Sequence, residues 1–394
     1  MLKNIGTVLF LYISVVSVWG QTNEINRILQ EIEQNNNEIK AYASWIESRK
    51  LALKTQNNLP DPQVGVYYLP WGEHQTGDYS EFQITQSFEF PTVYSVRSKL
   101  IDKQYTQLEL EYAEKRKSVL LPAKQYCLQL VYLQKKKEVE EKRVQQAQQV
   151  FNHISEMYNS EEVSLLDVNK AKISWIQEQF RVTELETKMQ NVLLTLQQLN
   201  GGNEIMFSPS SYETEIEIDP VDSLWVEKQN RDPELRSLNQ QEEVALQNYK
   251  LSKNKGLPNL TAGYNYQGVS GSNYSGIYGG LSIPLWSNRN KVKSAASAYQ
   301  YSQSLNQVVA QSHYAEFQKQ YNNYQVLKSK YTEYVSTLSD LNSESMLLEA
   351  YHLGQISYLE YFMELQFYRD AMDTMLKMEM EMHVLKASLL DYQL

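Results

Sequence analysis

The sequence predicts a mainly α-helical protein with two β-hairpins, built from two tandem copies of one helical unit. Three observations support this prediction. A short segment occurs twice, at 158–167 and 351–360, and the copies start 193 residues apart (351 − 158). Four other segments alternate apolar and polar residues, which is the period of a β-strand. The chain has only 15 Gly and 10 Pro in 394 residues, as long helices require.

The repeated segment predicts the tip of a helical hairpin. It reads YNSEEVSLLD at 158–167 and YHLGQISYLE at 351–360, with Tyr, Val/Ile, Ser, Leu and Asp/Glu at equivalent positions. Ser164 and Ser357 are each followed three residues later by an acid, which is the capping box that begins a helix. Gly354 suits the left-handed residue that ends the preceding helix.

The first twenty residues have the pattern of a secretory signal peptide. Lys3 supplies a positive charge, 5–18 is apolar, and 18–20 is a cleavage site of the small-residue type. A membrane anchor is the alternative, but the apolar run is short for a span. No Cys follows the site, so an acyl anchor is not expected. We therefore expect 1–20 to be removed on export.

Composition argues against several other classes of protein. A net charge of −10 is unfavourable for binding nucleic acid. The remaining sequence has no apolar run long enough for a transmembrane helix. Cys127 is the single cysteine, so no intrachain disulfide forms, and we expect it to be a small apolar helix residue. Motifs for phosphate binding, nucleophilic hydrolysis or a Cys/His metal cluster are absent. We expect neither an enzyme nor a cofactor.

The first repeat is assigned to 21–210. We predict a leading helix over 24–56 interrupted near 35–37, a β-hairpin over 63–90, a long helix over 92–158 bent at Pro122, and a return helix over 164–200. At about 1.5 Å per residue the long helix measures about 100 Å. The return helix has 37 residues and a leading helix over 26–56 has 31, against 67 for the long helix. Two short helices could therefore stack end to end along the long one.

The second repeat is assigned to 211–394. We predict a leading helix over 221–255 that restarts at Asp232-Pro233, a β-hairpin over 260–284, a long helix over 287–351 and a return helix over 357–392. Each repeat thus has the same order of elements.

The alternating segments predict strands that face lipid on one side and water on the other. The apolar positions proposed to face lipid are Val64, Val66, Phe82, Ile84, Phe88, Tyr264 and Leu281. Four strands have two open edges, which lipid does not tolerate, and common membrane barrels have about eight strands or more. The barrel must therefore be shared between chains. Three chains would close a barrel of twelve strands and two would close a smaller one, so the strands alone leave the stoichiometry open.

The order and spacing of these features resemble the TolC family of outer-membrane efflux proteins. The resemblance rests on the tandem halves, the Leu-Pro-(Asp/Asn) start of each hairpin at 59–61 and 257–259, the proline after each hairpin (Pro91 and Pro284) and the paired tips. It covers essentially the whole chain after the signal peptide. The opening LPDPQV at 59–64 is similar to that of the CusC/CzcC type of heavy-metal efflux channel.

The resemblance implies a homotrimer whose twelve-stranded barrel opens the outer membrane and whose helical tunnel crosses the periplasm. It also implies a periplasmic adaptor (membrane fusion protein) at the tips and an inner-membrane pump, of the RND type. Such a channel is a passive duct, and metal cations are one candidate substrate. Two alternatives stay open: a type I protein-secretion duct with the same fold, and a soluble periplasmic coiled-coil scaffold.

The resemblance also implies gate residues at the tips. Asp167, Tyr351 and Glu360 match positions that hold the family's periplasmic constriction closed or line its pore. The alternative for both acids is helix capping alone, and the two roles can coexist. Ile356 replaces the family's basic partner, and Met363 replaces the second acid of its pore ring. The family's salt-bridge lock is therefore not expected here.

The tips also supply the candidates for contact with an adaptor. These are Val163, Ser164, Gly354, Ile356 and Ser357, for which ordinary helix-turn chemistry is an equally good explanation.

Two further residue types invite a metal interpretation. The last helix carries Met363, Met372, Met375, Met378, Met380 and Met382. Thioethers suit Cu(I), but Met375, Met378 and Met382 have the spacing of a core face, which we favour. The five histidines, His74, His153, His313, His352 and His383, show no paired ligand spacing. His352 lies beside a tip, where it could respond to pH.

Overall fold

The computed structural model describes residues 20–69, 79–207, 211–212, 216–269, 271–340 and 343–394. The predicted signal peptide lies outside these residues except for Gly20, the first residue of α1. Within the described residues no helix is long and apolar enough to cross a membrane.

In the first half of the chain, the described residues form four helices and two strands. They are α1 (Gly20–Asn35), α2 (Asn37–Thr55), β1 (Gln63–Leu69), β2 (Tyr79–Phe88), α3 (Pro91–Asn159) and α4 (Leu165–Leu199). The leading segment breaks at Asn36, whose side chain caps α2 by accepting a hydrogen bond from the Ile39 N–H at 2.9 Å. Helix α3 continues through Pro122 without ending.

The second half repeats this order. Its elements are α5 (Val221–Arg231), α6 (Pro233–Asn254), β3 (Asn259–Val269), β4 (Ser272–Ser282), α7 (Lys291–Asp340), α8 (Ser343–His352), α9 (Tyr358–Leu389) and a final 3₁₀ turn (Asp391–Gln393). The Asp232 carboxylate caps α6 and also accepts a hydrogen bond from Lys117 Nζ at 2.7 Å.

The predicted long helix over 287–351 was wrong at its start. Residues 284–290 form turns, with Arg289 N–H donating to Trp286 O at 3.1 Å and Lys291 N–H to Asn288 O at 3.1 Å. Asn290 has a φ of 65°, a left-handed conformation that Asn tolerates better than most residues. These turns delay the helix to Lys291. The two residues between α7 and α8 lie outside the described part of the chain.

The four strands form one antiparallel sheet in the order β1-β2-β3-β4. The central pair joins the two repeats, with Tyr79 opposite Val269 and Phe88 opposite Leu260. Within the part of the chain that the structure describes, β1 and β4 each have a neighbouring strand on one side only. The two predicted hairpins thus become a single sheet with two edges.

The largest apolar core lies where both ends of the first repeat meet the middle of α3. One face of α1 (Ile25, Ile28, Leu29 and Ile32) packs with Leu120–Leu133 of α3 and with Leu196 near the end of α4. Cys127 is buried in this cluster, as its assignment to an apolar helix face predicted, and burial raises the pKa of its thiol to about 12.

Two asparagines join the α1–α2 break to the end of α4. Asn36 Nδ2 donates to Leu199 O at 2.8 Å, and Asn35 Nδ2 donates to Asn200 Oδ1 at 3.1 Å. The end of α4 therefore meets the start of α2 and not the start of α1. The expected end-to-end stacking holds for α4 and α2 only, because the break at Asn36 lets α1 pack in the core cluster beside the last turns of α4.

A stacked aromatic pair anchors the connection between the repeats. The Tyr212 ring lies 4.3 Å from the His383 ring, centroid to centroid, with 9° between their planes. Tyr212 Oη donates to Leu128 O at 3.2 Å. Burial lowers the pKa of His383 to about 4, so its ring is neutral at pH 7. This histidine is therefore a core residue.

The methionines of α9 mostly pack. Met382 is buried with Leu389 and Tyr324, and Met380 lies against the large core. Met372 and Met375 line a cavity of about 420 Å³ together with Lys135 and Glu379. The described residues contain no group of three or more His, Cys, Asp or Glu that could hold a metal ion.

We predict that Gly201→Ala destabilises the protein more than Gly202→Ala. Both glycines are left-handed, with φ of +67° and +92°, so alanine costs about 1–2 kcal/mol at either site. At Gly201 an added Cβ would also lie 2.5 Å from Asn35 O, whereas nothing lies within 4 Å at Gly202. Thermal unfolding followed by circular dichroism should show the larger fall in melting temperature for Gly201→Ala. An equal fall in melting temperature for the two variants would contradict this prediction, since it would mean that the α4–α2 junction is loosely packed.

Candidate functional site at the sheet and the helical tips

One face of the sheet is apolar across all four strands. Rows of paired residues on this face include Val64–Ile84–Tyr264–Ile277, Val66–Phe82–Tyr266–Ser275 and Phe88–Leu260–Leu281. The row Gln86–Ala262–Gly279, between those of Ile84 and Phe88, has small residues and one amide. Of the seven residues proposed to face lipid, all but Phe88 are exposed in the single chain, and Phe88 is half-buried. The sheet therefore brings them together on one uncovered surface.

The other face of the sheet is polar. Glu81 is its one acid, and it is also the one charged residue within the four described strands. Its carboxylate accepts hydrogen bonds from Asn265 Nδ2 at 2.8 Å and from Tyr79 Oη at 2.5 Å. Ser87 and Thr261 hydroxyls pair at 3.3 Å further along the same face. The sheet therefore has an apolar face and a polar face, to which successive residues of each strand point in turn.

The two helical tips have the same backbone conformation. Glu161 and Gly354 are equivalent residues and both are left-handed, with φ of 61° and 69°. The next residue in each tip donates to a carbonyl five residues earlier, Glu162 to Met157 and Gln355 to Ala350, both at 2.9 Å. This is the Schellman pattern that ends a helix. The left-handed position predicted for Gly354 is confirmed, and Glu161 adopts it without glycine.

Both predicted capping boxes form. Ser164 Oγ accepts from the Asp167 N–H at 3.3 Å, and Ser357 Oγ accepts from the Glu360 N–H at 3.3 Å. The Ser357 N–H donates back to Glu360 Oε2 at 2.8 Å. The Ser164 hydroxyl lowers the pKa of Asp167, and the Ser357 N–H lowers that of Glu360, because each hydrogen bond favours the ionised carboxylate.

A cavity of about 480 Å³ lies between the two tips and brings Asp167 and Tyr351 together. Its lining also includes His153, Lys170 and Ile356, but not Glu360. Tyr351 is buried here, stacked on the Tyr361 ring at 5.3 Å and edge-on to His153 at 5.9 Å. The structure therefore joins two of the three gate candidates in one chain and places the third elsewhere on the tip.

The exposed apolar residues of the tips differ from the expected contacts. Val163 and Ile356 are half-buried and pack into the tip cluster. Leu165, Leu166 and Leu353 are instead exposed by 56%, 62% and 65%. Leu165 and Leu166 follow the N-cap directly, so they lie at the apex of the turn. The signal in the sequence is the apolar pair between Ser164 and Asp167, inside the capping box.

A buried cluster of charges joins three helices about 20 Å above the tips, at about 1.5 Å per residue of α9. Arg143 of α3 donates from Nη1 to Glu140 Oε1 at 2.8 Å and to Asp373 Oδ1 of α9 at 3.1 Å. Arg369 of α9 donates to Glu178 Oε1 of α4 at 2.7 Å. Glu140, Arg143, Glu178 and Arg369 are each at most 3% exposed.

These charges are incompletely satisfied. Glu140 Oε2, Arg143 Nε and Arg369 Nε have no hydrogen-bond partner among the described residues. Burial raises the pKa of Glu140, although Arg143 acts in the opposite direction. Removing one partner from such a cluster leaves a buried charge unpaired, which is costly. The cluster therefore fixes how α9 of the second repeat sits against α3 and α4 of the first.

We predict that Glu161→Gly stabilises the first tip, because glycine removes about 1 kcal/mol of left-handed strain. Amide hydrogen exchange of residues 160–166 should slow by about fivefold. Gly354→Ala should have the opposite effect on the second tip, since it introduces the same strain. Faster exchange in Glu161→Gly would contradict this prediction. It would mean that the Glu161 side chain stabilises the tip by more than its left-handed backbone costs.

We predict that Arg369→Met destabilises the protein by about 3–5 kcal/mol, whereas Arg181→Met changes it by about 1 kcal/mol or less. Both arginines contact Glu178, but the Arg181 side chain is 42% exposed and that of Arg369 is 4% exposed. Thermal unfolding should separate the two variants clearly. Adding Glu178→Gln to Arg369→Met should restore part of the loss. Equal behaviour of the two arginines would contradict a buried cluster.

Comparison of the sequence with protein-family models found no match, and comparison with curated proteins found none either. Comparison of the structure with solved structures found similar chains over nearly the full length. The channel-forming protein CusC is 14% identical, with a TM-score of 0.79, covering 98% of this chain and 95% of that one.

Two further outer-membrane proteins show the same relationship. VceC from Vibrio cholerae is 13% identical with a TM-score of 0.76, covering 94% of this chain and 96% of that one. The outer membrane channel CmeC from Campylobacter jejuni is 12% identical with a TM-score of 0.72, covering 100% and 93%. The chain therefore has the fold of these outer-membrane channels, as its resemblance to the TolC family predicted.

Proposed function

We propose that the protein is an outer-membrane channel that works as a passive trimeric duct of an efflux system. The observation that supports this proposal is the sheet: among the described residues, none covers its apolar face and no strand adjoins either of its edges. A water-soluble sheet would cover such a face, and an isolated one would protect its edges. Lipid on the face and a second copy at each edge satisfy both requirements.

We propose three copies because the resemblance to the TolC family implies a homotrimer, whereas the sheet alone would also allow two. Each copy contributes four strands, so pairing β4 of one chain with β1 of the next gives twelve. With the apolar face outward, the polar face lines a water-filled interior. Glu81 would then recur three times around that interior as a ring of carboxylates, which attracts cations. This favours cationic substrates, and metal cations stay among the candidates.

The helical body provides the path through the periplasm. Helix α3 has 69 residues, which is about 100 Å at about 1.5 Å per residue. The described helices on both sides of it are amphipathic, and exposed apolar residues such as Ile173, Ile176 and Phe180 of α4 are available to neighbouring chains. Three such bodies would enclose a tunnel coaxial with the barrel. The channel needs no chemistry of its own, since an inner-membrane pump supplies the energy.

The tips are the proposed contact with a periplasmic adaptor and, through it, with a pump of the RND type. The exposed Leu165, Leu166 and Leu353 add an apolar surface to the contacts predicted from the sequence, which are Val163, Ser164, Gly354, Ile356 and Ser357. Asp167, Tyr351 and Glu360 are the proposed gate, with the two acids also capping their helices. Because Ile356 cannot form an ion pair, closure would depend on apolar packing at this position.

Two other functions are compatible with parts of this structure. A type I protein-secretion duct would share the barrel and the tunnel and differ only in its inner-membrane partner. A soluble periplasmic scaffold would need the apolar face covered by protein, and no described helix or loop covers it. The uncovered face therefore favours a membrane location over the scaffold.

We predict that Val66→Arg with Ile84→Arg prevents assembly in the outer membrane. Both side chains lie on the apolar face, where an arginine near the bilayer centre costs about 2–4 kcal/mol. The matched control is Gln83→Arg with Gln267→Arg, on the polar face of the same sheet, which should assemble normally. Heat-resistant oligomers in outer-membrane detergent extracts provide the measurement. If both double variants assemble equally well, the apolar face does not contact lipid and the channel proposal fails.

A further inference from the structure

The second β-hairpin lies within a long segment that has no acidic residue. From Val244 to Ala315 the chain has six Lys and Arg and no Asp or Glu, although the protein has 47 acids and a net charge of −10. The six are Lys250, Lys253, Lys255, Arg289, Lys291 and Lys293, which we call the basic collar. All six are exposed. A strongly acidic chain therefore carries one local region of positive charge.

The fold places the basic collar at one end of the sheet. Three of its residues precede β3 and three follow β4, and these strands are paired where they meet the helices, with Asn259 opposite Ser282. Asn288 Nδ2 donates a hydrogen bond to Lys255 O, which ties the two connections together. The charges that are distant in sequence thus lie side by side at the junction of sheet and helical body.

Interactions within the chain account for little of the collar, the exception being Lys253 Nζ, which lies 4.2 Å from the centroid of the Tyr249 ring. None of its six residues forms an ion pair with any residue that the structure describes. Lys253 lies in the last turn of α6, where the helix dipole favours a cation. Lys291 and Lys293, however, lie in the first turn of α7, where the dipole disfavours one. The helix dipole therefore does not account for Lys291 and Lys293.

Exposed apolar side chains adjoin the collar. Ile283, Leu285 and Trp286 follow β4 directly and are 62%, 67% and 81% exposed. They continue the apolar face of the sheet towards the basic residues. Tryptophan beside apolar residues on one side and cations on the other is the pattern of a membrane–water interface.

We propose that the basic collar binds anionic phospholipid headgroups of the leaflet next to the helical body, with Trp286 at headgroup level. This rests on the proposed function, since it requires the sheet to lie in a bilayer. A second copy of the chain is the competing partner, because acids of a neighbour could face the same bases. Lipid is favoured because the charges adjoin exposed apolar residues and a tryptophan at the edge of the lipid-facing surface.

The test uses purified mature protein reconstituted into phosphatidylcholine bilayers, after insertion has been verified by flotation. Lipids with brominated chains quench nearby tryptophan, and the contribution of Trp286 is the difference between the wild type and Trp286→Phe. The association constant at this site should be at least about fivefold larger for brominated phosphatidylglycerol than for brominated phosphatidylcholine. This is the increase expected from a single basic residue near an anionic headgroup. The preference should disappear at about 1 M salt.

The variant Lys255→Gln/Arg289→Gln/Lys291→Gln should insert and lose the preference. The matched control Lys172→Gln/Lys188→Gln/Lys319→Gln removes three exposed charges on helices away from the sheet and should retain it. An inserted wild type without a preference for phosphatidylglycerol overturns the collar and leaves the channel intact. If the collar variant loses subunit association but keeps the lipid preference, these basic residues contact a neighbouring chain and the lipid proposal is wrong. Failure of the wild type to insert rejects both proposals.

Discussion

Backbone hydrogen bonding in lipid is the constraint on which the proposed assembly depends. The outer edges of β1 and β4 carry N–H and C=O groups with no strand beside them. In hydrocarbon each such group costs several kcal/mol, so the apolar face of this sheet can meet lipid only if both edges are paired. Pairing between chains solves this and simultaneously brings the long helices together. Barrel and tunnel are therefore two consequences of one requirement.

The helical body has a second constraint, which is to hold its two repeats in one arrangement. Apolar packing supplies most contacts, but the Glu140–Arg143–Arg369–Glu178 cluster is directional and joins α9 to α3 and α4. Because several of its atoms lack partners, its value lies in specifying position more than in adding stability. Any opening of the tips must move these helices together or break this cluster. In the proposed channel the cluster would therefore connect the gate mechanically to the helical body.

Local signals in the sequence predicted the elements well, whereas packing determined the rest. Capping boxes, the proline-bounded strands and the breaks at Asn36 and Asp232 depend on neighbouring residues, so they can be read directly. The late start of α7 depends on a left-handed Asn290, which few sequence patterns specify. The buried charges look like solvated helix residues until three helices meet around them. His383 likewise becomes a core residue only through its stacking on Tyr212, 171 residues away in the chain (383 − 212).

The stoichiometry of the detergent-solubilised mature protein tests the central claim most directly. Light scattering that separates protein mass from bound detergent gives the number of chains in each particle. The proposed trimer predicts three chains, and the open-edged sheet requires more than one, stable only with detergent or lipid on the apolar face. A single folded chain that is monodisperse in detergent-free buffer would contradict the account, since its edges and apolar face would then need no partner.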